Sequence, residues 1–295
     1  MRISVIVPIY KGNKHIKNLL NIMNVNVKTL KEKLSDFSSE DFELILVNDS
    51  PDIPIEIPDI KSDDYALRVL ENPTNLGIQG ARINGINNAK GEFIQMLDQD
   101  DKLADNALYS QLMAIGDCDM VIANGYSESE SEGYKKVLYT SVSQQKMALV
   151  PKYYYSIGCM IWSPGQCLIR KSAIPEIWMK EKIEHNGSDD LLLWLLMQNE
   201  GRKMTINPEK LYTHVETGVN YSADFGKITT SSMDVLEFLR RHNAVSKKLA
   251  KTFERRFEMR KLYHGKGSLN KAVAMLLYPD LSMPLVVKKI RGMLK

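Results

Sequence analysis

Two short runs of aliphatic and β-branched residues, at 3–8 (Ile-Ser-Val-Ile-Val-Pro) and 42–47 (Phe-Glu-Leu-Ile-Leu-Val), stand out from the chain around them. Runs of this length, apolar almost throughout, read as strands covered on both faces. Between them Ile16, Leu19, Leu20 and Met23 recur at three- and four-residue intervals in a polar segment, the period of a helix with one buried stripe. Strand, helix, strand predicts a right-handed parallel crossover. The alternation continues with a strand over 66–70, a helix over 78–88 and a strand over 92–97 that stops at Asp98. Together these predict an α/β sheet. Beyond about 120 the pattern is less regular, with a strand expected at 166–170 and a strongly apolar helix over 189–198. From about 233 a basic helix carries Leu249, Phe253 and Phe257 on one face, and Gly265 and Gly267 break it. Two shorter helical pieces follow, the last starting near Ser282 with Pro284 suited to its first turn.

The chain has 295 residues, enough for one large core with an appendage. No repeat or Pro/Gly-rich tract argues for a fibre, solenoid or linker. Charge changes the picture more. Residues 240–295 hold 15 Lys/Arg against 3 Asp/Glu, a balance of +12, which leaves −9 on the rest of a chain whose total is +3. Such a tail seeks an anionic partner, and the acidic body argues against nucleic acid. An anionic membrane surface met through 240–295 is the expected partner; the alternative is a helical extension packed on the body or on a second subunit of a homo-oligomer. Cys118, Cys159 and Cys167 form no CxxC pair or even framework, so free thiols are expected. Without a signal-peptide profile or an apolar stretch of spanning length, the expected location is cytoplasmic, peripheral on the inner face of the plasma membrane where the tail docks.

In open parallel sheets the ligand sits beyond the carboxyl ends of the strands. Those ends carry Pro8, Ile9 and Tyr10, then Asn48, Asp49 and Ser50, then Asp98, Gln99, Asp100 and Asp101. Asp98 and Asp100 are two apart, so on extended backbone they aim at one volume. Carboxylates that close repel unless a divalent cation and its phosphate ligand share the charge. The alternative is an acidic turn in which Asp101 or Asp105 caps the helix beginning near Asn106.

In this order the motifs resemble family 2 glycosyltransferases of the glycosyltransferase A fold, over about 220 residues. Val7-Pro8-Ile9-Tyr10 matches the signature that ends the family's first strand, with Lys11 where Asn is usual. Val47-Asn48-Asp49-Ser50 matches, in shortened form, the Asp-containing loop that holds the nucleotide base. Asn75-Leu-Gly77-Ile-Gln-Gly80-Ala81-Arg82-Ile-Asn-Gly85 looks like the segment lining the nucleotide pocket, although small residues there also suit close helix packing. The family's Asp-x-Asp-Asp falls on Asp98, Asp100 and Asp101. Asp98 and Gln99 would then face the donor, and Asp100 would bind Mn²⁺ or Mg²⁺.

Gly187-Ser-Asp189-Asp190 is similar to the family's Glu-Asp motif at the head of the acceptor helix, with Asp189 replacing Glu. The resemblance makes Asp190 the catalytic base and Asp189 the fallback, while helix capping alone would also explain two acids there. His214, 24 positions on, matches a metal-binding His of some members. The resemblance implies a mixed sheet flanked by helices: 1–120 as the nucleotide-sugar half, 121–222 as the acceptor half of the same domain, and 223–295 as a basic helical extension. The activity implied is inverting transfer from a nucleoside-diphosphate sugar, UDP-linked by family habit, to a hydroxyl of a glycan or lipid-linked saccharide in capsule or other surface-polysaccharide assembly.

Trp162, Tyr153, Tyr154, Tyr155 and Trp178 are candidates for stacking on sugar, and equally for the core. Gly165 and Gln166 are candidates for approaching the donor, and residues 217–222 for a flap over the diphosphate. The rivals are a sugar-phosphate nucleotidyltransferase, whose Gly-rich basic loop is missing after the first strand, an oxidoreductase, whose GxGxxG is missing there, and a non-catalytic scaffold or nucleic-acid binder acting through the tail.

Overall fold

In the computed structural model, which describes residues 2–60, 65–129, 131–218, 224–263 and 268–294, the first apolar run forms β1 (Ile3–Ile9), buried at every position. The segment after it winds into α1 (Asn13–Lys33), and the second run forms β2 (Phe42–Asn48). Then come β3 (Ala66–Glu71), α2 (Gly77–Asn88), β4 (Phe93–Met96), the two-residue β5 (Lys102–Leu103) and α3 (Ala107–Ile115). The second half supplies β6 (Met120–Ser129), β7 (Tyr134–Val137), the short helices α4 (Val142–Gln145) and α5 (Pro151–Ser156), and β8 (Cys167–Arg170). It continues with α6 (Glu176–Lys180), α7 (Asp189–Asn199) and β9 (Met204–Val215). The tail is α8 (Phe225–Arg241), α9 (Lys247–Tyr263), α10 (Ser268–Leu277) and α11 (Pro279–Met293).

The strands make one mixed sheet in the order β3-β2-β1-β4-β8-β6-β9-β5, with β7 beside β6. The first four are parallel, β8 runs antiparallel to both its neighbours, and β9 is parallel to β6. Side chains alternate between the faces. Val5, Val7, Leu44 and Leu46 face the stripe Ile16, Leu19, Leu20 and Met23 of α1. Ile6, Ile45, Val47 and Met96 face the other side, where Leu192, Trp194 and Leu195 of α7 belong to the same core. Both faces being covered is why β1 and β2 read as unbroken apolar runs.

Gly85 belongs to this packing. A Cβ there would stand 2.3 Å from Ile6 Cγ2 on β1, so α2 lies against the strand only because the side chain is missing. Gly85→Ala is expected to cost about 1–3 kcal/mol through overpacking, read as a lower urea midpoint at unchanged slope.

The tail differs from its sequence reading in two ways. One helix was expected from about 233; two form, because the chain turns after Arg241 and Asn243 takes φ 53. The last helix starts at Pro279 rather than near Ser282, since Pro279 occupies the first-turn position and Pro284 falls inside the helix. Gly265 and Gly267 lie outside the described residues. Val235, Leu236, Phe238 and Leu239 of α8 and Ala250, Phe253 and Phe257 of α9 join the core of the sheet's α7 face. The last two helices rest on α9 around Met259, Ala274 and Leu281, leaving Leu276 79% exposed and Leu277, Met283, Ile290 and Met293 open. No helix among the described residues is long and apolar enough to cross a membrane.

Candidate active site

The chain leaves β1 through Tyr10 and then Lys11, whose φ of 50 is a conformation that Asn adopts more readily than Lys. The amide side chain of Gln99, just past β4, pairs with this turn: Tyr10 N donates to Gln99 Oε1 at 3.0 Å and Gln99 Nε2 to Tyr10 O at 3.2 Å. A Cβ on Gly12 would fall 2.0 Å from Gln99 Oε1, so the pairing requires glycine. Lys11 N donates to Ser50 Oγ at 2.8 Å, which ties in the end of β2. Asp49 organises the next loop. It accepts from Asn72 Nδ2 at 2.8 Å and from Leu76 N at 2.7 Å, at the entry to α2. Gly77 then opens the helix at φ 75, against Asn186 of the opposite wall.

Arg82, one turn further on, is 4% exposed and bridges two carboxylates. Its Nη2 donates to Asp98 Oδ1 at 2.6 Å and its Nη1 to Asp189 Oδ2 at 2.7 Å. Burial works against this charge, but Asp189 and Asp98 outweigh it and push the guanidinium pKa up. Ser163 Oγ donates to the other oxygen of Asp98 at 3.1 Å. One arginine thus joins the end of β4 to the head of α7.

The neighbouring acids have different fates. Asp101 is fully buried and accepts from Tyr212 Oη, from Val215 N at 2.9 Å and from His214 Nδ1 at 3.2 Å. It is therefore an internal anchor for the end of β9, and neither it nor Asp105 caps α3, where Asn106 stands without a side-chain cap bond. Burial alone would lower the pKa of His214, but the hydrogen bond and charge of Asp101 prevail and raise it. With Nδ1 committed to Asp101, Nε2 is the nitrogen left for the cleft. Asp100 is half-buried; burial, then the charges of Asp101 and Asp98, push its carboxyl up to about 6. A carboxylate strained by like charges is one that a cation relieves. No group of three or more His, Cys, Asp or Glu among the described residues converges as a complete metal site. Asp100 and His214 fit two protein ligands of a hard divalent ion whose other ligands come from phosphate and water.

Asp189 and Asp190 begin α7 but divide their work. Asp189 is 2% exposed and locked to Arg82, and its carbonyl accepts from Trp178 Nε1 at 2.9 Å. Asp190 reaches the cleft, and its Oδ1 accepts from the backbone N of Leu191 at 2.7 Å. Burial first, then repulsion from Asp189, push its carboxyl up to about 7. A carboxyl held there is basic enough to take a proton near neutral pH.

Eleven of the residues singled out in the sequence, Pro8, Tyr10, Asp49, Gly77, Arg82, Asp98, Gln99, Asp100, Asp189, Asp190 and His214, line one cleft of roughly 1210 Å³ at the carboxyl ends of the strands. The aromatic candidates separate. Trp162 is 50% exposed on the cleft wall, whereas Tyr153, Tyr154, Tyr155 and Trp178 are buried in the core. Gly165 and Gln166 are also buried: Gly165 packs on Tyr212, and Gln166 Oε1 accepts from Trp162 N at 2.6 Å. Thr217 lines the cleft, and residues 219–222 of the expected flap lie outside the described residues. Ser163, Asn186 and Lys227 reach the cleft without any motif to mark them.

The family model described as "Glycosyl transferase family 2" matches residues 4–178. Glycosyltransferase GlyG of Streptococcus pneumoniae serotype 4 is 35% identical over 136 residues, 44% of this chain and 41% of that protein, so the match spans less than half of the relative's length. Among solved structures, S. aureus TarS 1–349 superposes with a TM-score of 0.59 at 18% identity, covering 93% of this chain and 77% of that one. TarS has also been solved with UDP-GlcNAc. The mannosyltransferase PcManGT from Pyrobaculum calidifontis, solved with GDP-Man and Mn²⁺, superposes with a TM-score of 0.55 at 15% identity, covering 99% of this chain and 87% of that one. These likenesses are to the glycosyltransferase A fold.

Proposed function

Because the chain belongs to glycosyl transferase family 2, we propose that it transfers a sugar from a nucleoside-diphosphate sugar, UDP-linked by preference, to a hydroxyl of a glycan or lipid-linked saccharide, with inversion at the anomeric carbon. The observation that carries this reading is the division of labour at the head of α7. Asp189 is spent on Arg82, and Asp190 faces the cleft with its pKa raised to about 7.

An acceptor hydroxyl is a weak nucleophile, and Asp190 takes its proton as oxygen attacks the anomeric carbon. One base and no protein nucleophile means a single displacement, hence inversion. Tyr10, Asp49 and Gly77 form the nucleotide side of the cleft, Gln99 fixes the Tyr10 turn, and Arg82 orients Asp98 toward the donor. Asp189 is a positioning residue. Asp100 and His214 would hold Mn²⁺ or Mg²⁺, which supplies charge stabilisation to the departing diphosphate. Trp162 is the face offered to an acceptor sugar. The basic, partly apolar tail suits a cytoplasmic enzyme peripheral on an anionic membrane, in surface-polysaccharide assembly.

The pH dependence follows with a fixed sign. Asp190 must be ionised to act, so kcat/KM falls about tenfold per pH unit below roughly pH 7 and levels above it. An acidic limb near pH 4 would assign the base to a carboxyl with an ordinary environment. The test of the function is release of nucleoside diphosphate from UDP-, GDP- and dTDP-sugars with Mn²⁺ or Mg²⁺ and after EDTA. The reading requires release from one nucleotide class, dependent on the metal. Failure with every donor, beside intact folding, would contradict it.

A further inference from the structure

Away from the donor cleft, α9 and α11 carry cations that have no acid paired with them among the described residues. Arg256 is 3% exposed and donates through Nη1 to Tyr154 O at the end of α5. Its guanidinium lies over the rings of Phe253 and Phe257, 4.3 and 4.6 Å from their centroids, and its Nε has no hydrogen-bond partner among the described residues. Arg260 sits one turn further along the same helix, and Lys288 of α11 is close enough for the charge of Arg260 to weigh on it. Burial first, then Arg260, push Arg256 down to about 9; burial lowers Arg260, and burial with Arg260 lowers Lys288.

Acids on these helices are engaged elsewhere: Asp280 with Arg255 at 2.5 Å, Glu254 with Arg240 at 2.8 Å, and Glu258 accepting from Tyr278 Oη at 3.5 Å. Among the described residues no carboxylate lies within ion-pair distance of Arg256, Arg260 or Lys288. Gathering three partly desolvated cations without a countercharge is unfavourable, and an anion from outside removes the cost. The chain between Tyr154 and Ser163 joins this cluster to the donor cleft: its first residue is bonded to Arg256, and its last to Asp98. Cys159, midway, feels the charges of both Asp190 and Arg256. One short segment thus has the cluster at one end and the cleft at the other. On α10 and on α11, the helix that carries Lys288, Leu277, Met283 and Ile290 are exposed apolar side chains.

We propose that Arg256, Arg260 and Lys288 form a subsite for the phosphate or diphosphate of an acceptor carried on an apolar chain. The location of this subsite relative to the reaction rests on Asp190 as the base; the binding itself does not. Arginine forks and an ammonium suit phosphate oxygens, and the alternative source of the same chemistry is the headgroup of bulk anionic lipid.

The test is calorimetric titration of inorganic pyrophosphate into the full chain in EDTA, which removes metal-bridged binding in the donor cleft. Wild type is compared with Arg260→Gln/Lys288→Gln, whose replaced side chains are only partly buried, and with Lys288→Gln alone should the pair not fold. A second arm measures sedimentation with phosphatidylglycerol vesicles against phosphatidylcholine vesicles. The expected result is pyrophosphate binding weakened by about tenfold or more in the variant. Loss of pyrophosphate binding with phosphatidylglycerol sedimentation retained assigns the subsite to the acceptor's phosphate. Loss of both assigns it to lipid headgroups. Equal pyrophosphate binding by variant and wild type, or none by wild type, overturns the proposal. Because no turnover is measured, this outcome is independent of whether sugar transfer is found.

Discussion

Asp190→Asn is expected to slow sugar transfer by about 10² to 10⁴-fold, the usual worth of a general base, with nucleotide affinity changed little. The amide fills the same space and can still accept from Leu191 N, so α7 keeps its start. What it loses is basicity, which burial and Asp189 raise to about 7. Asp189→Asn is the informative partner. It removes an ion-pair partner of Arg82 at 2.7 Å, so it should affect stability and the placement of Asp190 together. Equal transfer by Asp190→Asn and wild type, followed as product formation, would remove Asp190 from the chemistry.

The second large effect is expected at Arg82. Its replacement by Met should cost about 3–5 kcal/mol of stability, because Asp189, 3% exposed at its side chain, would be left as an uncompensated buried charge. Asp98 would lose its partner at 2.6 Å, and the repulsion that Arg82 moderates among Asp98, Asp189 and Asp190 would return. Arg82→Lys should recover only part of the loss, since one ammonium cannot present two nitrogens to carboxylates on different elements. Chemical denaturation of the three proteins at one pH checks this ranking. A methionine variant as stable as wild type would show that the bridge is not what joins β4 to α7.

The N-terminal strands were legible because their physics is local. Val5, Val7, Leu44 and Leu46 lie in runs too apolar for any surface position; Asp49 falls where the second of these runs stops, and Asp98 where the strand over 92–97 stops. β6 was not read, since Asn124 and Gly125 interrupt its pattern where the register with β9 shifts. At Gly125 a Cβ would sit 2.2 Å from Tyr212 O, a reason no single strand can display. The site was legible as a set of residues but not as a set of roles. Asp101 looks like Asp98 and Asp100 in sequence, and only Tyr212, Val215 and His214, more than a hundred positions away, make it an internal anchor. Likewise nothing local separates Asp189 from Asp190; Arg82 does, from α2. The tail's charge dominates its composition and left membrane docking and packing on the body or on a second subunit both open. Val235, Phe238, Phe253 and Phe257 are core residues.

The central claim, a nucleotide-sugar site completed by a metal at Asp100 and His214, is tested most directly by calorimetric titration of UDP, GDP and dTDP into the protein with and without Mn²⁺. The account predicts that one nucleotide, UDP foremost, binds tightly only with Mn²⁺, and that Asp100→Ala and His214→Ala each remove the metal's contribution. Binding of no nucleotide under either condition, or Mn²⁺-dependent binding unchanged in both variants, would contradict it.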